Sequence, residues 1–418
     1  MNKYTKIIYM SLTAVSGLLN IATMLSFVRN SKISEADIFF ISLSITSFFV
    51  ILLSSPINTG KIKYLLSLKN KDSDFIRALS LKMLLKMVTY LPYAFFVIFL
   101  VSYFAISLSD ISHDYNDFVL AFSISLYVCS CIIFEQVRIE NQIAKSFVIF
   151  PSANAMLNII VLFGVTFFKF GLLEFLYTSL VIRMLISILY FVRTVDNVKN
   201  ECLDAFNSID SKFHVGEFFN VVRVYSGAVF ITALSSFLPS FLLSFFGVGV
   251  ITSYQLALRC ITSPMALVIT PYVDFIRYSL SHADVNIRKY TQHLLVILLF
   301  SSSLSLFLFL SSSIIESFFI KDSSFKGVFT YSIVILSFSL ISGSVYIFNT
   351  RLAELKLSLS KMSIAGLLVH CTYLFLISLA TFLNDFDLFL WSKFFIDIIV
   401  FLPLSFWFIY SSKIVSFR

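Results

Sequence analysis

Two arginines stand where a charge is least expected. Arg183 and Arg259 each lie well inside a long apolar run of a 418-residue chain. A cation held in hydrocarbon costs several kcal/mol unless it meets a partner or a wet cavity. Arginine stays charged at any accessible pH, and its planar fork grips phosphate through two parallel hydrogen bonds. The chemistry on offer is thus recognition of an anion, although a salt bridge or snorkelling would equally account for Arg183. Pro264 and Pro271 follow Arg259, and a proline in such a helix frees backbone carbonyls that a cavity can satisfy. Asn154 and Asn158 are four apart and share a helical face. They, like Gln255 and Asn349, can bind hydroxyl groups or hold helices together. His370 lies deep in another run; it is a candidate proton-coupling residue, with interhelical packing as the alternative. Lys393 and Asp397, also four apart, are expected to pair with each other as a structural contact.

Covalent chemistry is poorly provided for. The sequence contains no P-loop, dinucleotide fingerprint, H-E-x-x-H or G-x-S-x-G motif. Five cysteines fall at 129, 131, 202, 260 and 371, with no metal-site spacing. No cofactor and no metal is therefore expected. The net charge of +8 is spread through short gaps between apolar runs, not over a basic face, which argues against nucleic acid.

The elements that must position these residues follow from composition. The chain is 58% hydrophobic and only 13% Asp, Glu, Lys and Arg, where soluble domains carry about 25% charged residues. Its mean hydropathy is +0.92. Apolar runs near 7–28, 38–58, 87–108, 118–137, 147–168, 172–192, 224–246, 250–275, 292–315, 327–348, 362–383 and 394–410 predict about twelve transmembrane helices, the fourth and last being short. The first run is too long for a typical signal-peptide core. Placing both termini in the cytoplasm puts twenty-three of the thirty-one basic residues on that side and six outside, as the positive-inside rule requires. The two left over are Arg183 and Arg259. A polar stretch at 193–223 divides the chain into two six-helix bundles, 1–192 and 224–418, the arrangement of many secondary transporters.

Two segments carry a family resemblance. Ser34-Glu35-Ala36-Asp37-Ile38-Phe39-Phe40 opens the second run, and Gly247-Val248-Gly249-Val250-Ile251-Thr252-Ser253-Tyr254-Gln255-Leu256-Ala257-Leu258-Arg259 opens the eighth, which Pro271 closes. Together with length, helix count and the lack of a large outer loop, they resemble the polysaccharide flippases of the multidrug/oligosaccharidyl-lipid/polysaccharide exporter superfamily, above all the O-antigen flippases. The resemblance implies an all-α, V-shaped transporter in the bacterial inner membrane, with a cationic central cavity. It implies passage of an undecaprenyl-pyrophosphate-linked oligosaccharide from the cytoplasmic to the periplasmic leaflet, coupled to H+ or Na+. Membrane lipids, a polysaccharide polymerase and chain-length proteins are the implied partners. Arg259, Arg183, Gln255, Asn154, Asn158 and Asp37 are expected along the substrate path, with His370 in coupling. The related lipid II flippases carry arginines in the first helix, and positions 10 to 28 here contain none. A membrane polymerase or ligase, and a small-molecule exporter of the same superfamily, are the alternative readings. The first is expected to need a large outer loop, and the second, for cationic drugs, an acidic cavity.

Overall fold

The computed structural model describes residues 3–54, 73–111, 113–143, 149–201, 229–270, 285–319, 327–353 and 359–412, with Ile57, Tyr272, Val273, Ile276, Val415 and Ser416. Those residues form twelve helical segments in chain order. They are α1 (Lys3–Asn30), α2 (Ile33–Ser54), α3 in two arms (Ser73–Thr89 and Leu91–Ser107), α4 (Asp117–Ile143), α5 (Ile149–Phe167) and α6 (Leu172–Glu201). Then come α7 (Val229–Phe246), α8 (Val250–Pro264), α9 (Ile287–Phe319), α10 (Val328–Ala353), α11 (Leu359–Phe382) and α12 (Phe386–Ser412). A helix closes every backbone hydrogen bond within its own segment, which is what a bilayer demands. Eight of the described helices are long and apolar enough to cross one, and the arms of α3 make a ninth span bent by 47°. The chain is a multi-pass membrane protein.

Proline explains the irregularities. Pro92 opens the second arm of α3; it has no N–H for the Val88 carbonyl and its ring pushes that carbonyl aside, so the helix bends there. Each π-helical stretch among the described residues also borders a proline: Val50–Ser54 precedes Pro56, Met265–Ile269 follows Pro264, and Ile396–Phe401 precedes Pro403. The lost donor leaves one carbonyl to be met from a wider turn.

By contact the chain forms two compact units. The first holds residues 1–30 and 41–237, the second residues 31–40 and 238–418. The expected division at 193–223 meets α6 running on to Glu201, and residues 202–228 of that stretch lie outside the described residues. In the first unit α1 packs along α5, and α4 packs against α6 and the second arm of α3. In the second, α10 touches α8, α9 and α12 and is buried along most of its length. A two-residue parallel pairing, Val285-Asn286 with Val415-Ser416, joins the start of α9 to the segment after α12.

The α9 helix shows how the sequence sorts its faces. Leu295, Leu299, Leu306, Leu310 and Ile314 are exposed on one stripe, the side that suits lipid. Ser301, Ser305 and Ser312 are buried on the other, where small residues let helices approach and bond. Ser305 donates to the Ser337 carbonyl of α10 at 2.8 Å.

Candidate functional site

The start of α8 is built from parts far apart in sequence. Gly247 and Gly249 have φ of 114° and 89°, a left-handed backbone that glycine adopts without a Cβ penalty. Gly249 is the N-cap and has no side chain to satisfy the first N–H groups of the helix. Asp37 of α2, wholly buried, supplies the missing acceptor. Its carboxylate accepts from the Gly249 N–H, from the Thr252 N–H at 2.8 Å and from the Thr252 hydroxyl at 2.6 Å. An anion at a helix N-terminus also meets the positive end of the macrodipole. The two segments that carry the family resemblance are thus one structural joint, and Asp37, expected on the substrate path, serves here as the cap. Glu316 of α9 does the same for α10, accepting from the Gly327 N–H and the Thr330 hydroxyl, each at 2.7 Å.

A stability prediction follows from this joint. Asp37→Ala leaves three donors without an acceptor, and each buried unsatisfied group costs about 1–3 kcal/mol. Asp37→Asn keeps one acceptor oxygen and is expected to lose less. Thermal unfolding in detergent should rank wild type above Asn above Ala; an alanine variant melting with wild type would refute the cap.

Further along α8, Gln255 is buried and donates to the Ser240 hydroxyl of α7 at 2.6 Å. Arg259 follows one turn later on the same face. Its Nε is buried and has no hydrogen-bond partner among the described residues. The regular helix ends soon after, at Pro264, and continues as the π turn Met265–Ile269.

Beside this break lies a cavity of about 230 Å³ between α8, α10, α11 and α12. Its walls include both π stretches, through Met265 on one side and Asp397 and Phe401 on the other. Lys393 and Asp397 pair at 2.5 Å, the local contact their spacing predicts. They share the cavity with His370 and with Ser339, whose buried hydroxyl has no partner among the described residues. The Lys393 ammonium also lies 5.8 Å from the ring centres of Tyr373 and Phe401. The sequence singles out His370 but treats Lys393 and Asp397 as a local pair only. Their convergence with His370 depends on the packing of three helices.

In the first unit, Asn154 donates to the Ser16 hydroxyl at 2.6 Å, and Asn158 to the Ser16 carbonyl at 2.9 Å. Both asparagines therefore join α5 to α1. Asn349 likewise ties α10 to α9 and α12, accepting from Tyr290 at 2.9 Å and donating to Ser405 at 3.0 Å. Arg183 places its guanidinium 4.7 Å from the Tyr127 ring centre and donates to the Cys131 sulfur at 3.0 Å, joining α6 to α4. The two arginines of the apolar runs thus differ: Arg183 is held by protein groups, and Arg259 has a buried Nε that no described group meets. Among the described residues no cluster of three or more His, Cys, Asp or Glu could hold a metal ion.

The sequence matches no known family model and no curated protein. Its fold has clear counterparts. It is similar to a multidrug resistance MATE family transporter of the MOP superfamily in an inward-facing conformation (TM-score 0.68, 10% identity, 98% of this chain and 99% of that one). It is similar to the lipid II flippase MurJ in an inward closed conformation (TM-score 0.71, 15% identity, 98% and 88%). It is also similar to a MOP superfamily transporter from Pyrococcus furiosus, described by a reversed polarity of the binding pocket that suggests a different function (TM-score 0.62, 12% identity, 98% and 95%). The chain therefore shares the fold of these solved proteins over 98% of its length.

Proposed function

We propose that this protein is a flippase that carries an undecaprenyl-pyrophosphate-linked oligosaccharide, of the O-antigen repeat type, from the cytoplasmic to the periplasmic leaflet of the bacterial inner membrane. The observation that carries this reading is Arg259, with a buried Nε that no described group meets, on a helix that breaks just beyond it. A guanidinium whose buried Nε meets no described group is stabilised by a passing anion, and a pyrophosphate offers several oxygens in the right geometry. Transport proceeds by alternating access, and an ion gradient drives it. His370, with the Lys393–Asp397 pair in the same cavity, is where the coupling ion, H+ or Na+, acts, at the junction of α11 with the π stretch of α12. The catalytic repertoire of a polymerase or ligase is not needed for any of these steps.

The likeness to a multidrug transporter favours a second reading, export of a small molecule. A cation at position 259 opposes a cationic drug and tolerates an anionic one. Deleting the gene separates the two. Loss of surface polysaccharide, with its lipid-linked unit accumulating on the cytoplasmic leaflet, is the expected result. Intact polysaccharide with a new sensitivity to small toxic compounds would establish the exporter instead.

A further inference from the structure

The bend of α3 opens a second cavity, of about 390 Å³, that neither substrate passage nor coupling uses. It lies wholly within the first unit. Leu53 from the end of α2, Leu84, Met87 and Leu91 from the two arms of α3, and Ile132 from α4 line it with apolar surface. Among the described residues, Tyr90, half exposed, and Gln136 bring the polar groups of its lining. Gln136 is only 4% exposed, and among the described residues neither its amide nitrogen nor its amide oxygen has a hydrogen-bond partner. An unsatisfied buried polar atom costs about 1–3 kcal/mol, so two of them on one side chain call for a ligand that both donates and accepts.

Depth narrows the choice. Gln136 sits next to Val137, where the apolar span of α4 ends, and the cavity spans the α3 break at Tyr90 and the last turn of α2. The apolar spans of α2 and α4 end at Ser54 and Val137, beside the cavity, so an apolar chain can lie against Leu91 and Ile132 while its polar end stays beside Gln136. Among the described residues no Asp, Glu, Lys or Arg lines the cavity, which favours a neutral headgroup. We infer that this cavity is a binding site for a membrane lipid whose hydrocarbon chain carries a neutral hydroxyl group at the hydrogen-bonding distance of Gln136. A hydroxyl donates to the amide oxygen and accepts from the amide N–H. A lipid held at a bent helix stabilises that bend and biases whatever motion depends on it.

The test uses the full-length protein in lipid nanodiscs and three photoactivatable sixteen-carbon probes: an alcohol, its methyl ether and the plain hydrocarbon. Cross-links are mapped by peptide mass spectrometry. The alcohol should label the segments around Leu84–Ala94 and Ile132–Gln136 at least about fivefold more than the other two, roughly the discrimination of one net hydrogen bond. Gln136→Leu should bring the alcohol down to the hydrocarbon level. Equal labelling by all three probes, or an alcohol preference that survives Gln136→Leu, overturns the proposal. A melting measurement in detergent guards against a merely misfolded variant. Because Gln136→Leu removes two unpaired groups from an apolar site, its Tm without added alcohol should rise, and added hexadecanol should raise the Tm of wild type alone. A Tm for the leucine variant below that of wild type would also count against the site.

Discussion

Arg259→Ala is expected to abolish most transport while leaving the protein inserted and at least as stable as wild type. A charge-assisted hydrogen bond contributes about 1.5–3 kcal/mol, roughly a ten- to hundredfold change in occupancy of the bound state. Arg259→Lys keeps the charge but not the planar fork, and should retain partial transport. The stability arm separates function from structure. If the guanidinium were a structural partner, its removal would strand another group and lower Tm; since its Nε has no partner among the described residues, alanine should relieve an unfavourable burial. Accumulation of the lipid-linked unit in cells, read beside thermal unfolding of the purified variants, gives both answers. A fully active alanine variant, or one that simply unfolds, refutes the role assigned to this residue.

The Lys393–Asp397 pair predicts the opposite pattern. Lys393 is 25% exposed and Asp397 6%, so Asp397→Ala leaves a largely buried ammonium without its counter-ion. Breaking a buried pair on one side costs about 3–5 kcal/mol, and the partial exposure of the lysine places this one toward the lower end. A paired replacement, Lys393→Met with Asp397→Leu, removes both charges and should restore much of the melting temperature, because matched apolar groups often equal a buried pair in stability. Transport should nevertheless stay lost in the double variant if the pair answers to the driving ion. Recovery of both stability and transport would make the pair structural, the role that its spacing alone implies.

Much of the architecture is legible without coordinates because the bilayer imposes a local rule: every crossing segment must satisfy its own backbone. Hydropathy therefore finds the helices. Contacts at i, i+4 are equally local, which is why the pairing of Lys393 with Asp397 and the shared face of Asn154 and Asn158 follow from spacing. What spacing cannot supply is the partner across a helix interface. It leaves the asparagines free to be ligands or ties, and only the approach of Ser16 shows them joining α5 to α1. The eighth run breaks where its prolines lead one to expect. Its residues from Val250 to Ala257 are buried in protein, its α-helix stops at Pro264, and only the structure shows that a π turn follows.

The two sequence segments that resemble a family show the division most clearly. Residue type alone marks Gly247 and Gly249 as a turn and Asp37 as an acid that hydrocarbon will not accept unpartnered. That the acid closes the turn, across more than two hundred residues, is a fact of tertiary structure, because an N-cap is recognised by geometry and the acceptor need not come from the same helix. The same reasoning separates Arg183 from Arg259. Both are arginines in apolar runs, identical to any reading of composition or period. Tyr127 and Cys131 meet the first, whereas nothing described meets the Nε of the second, since satisfaction of a polar group is a property of its neighbours and the chain brings those together only on folding.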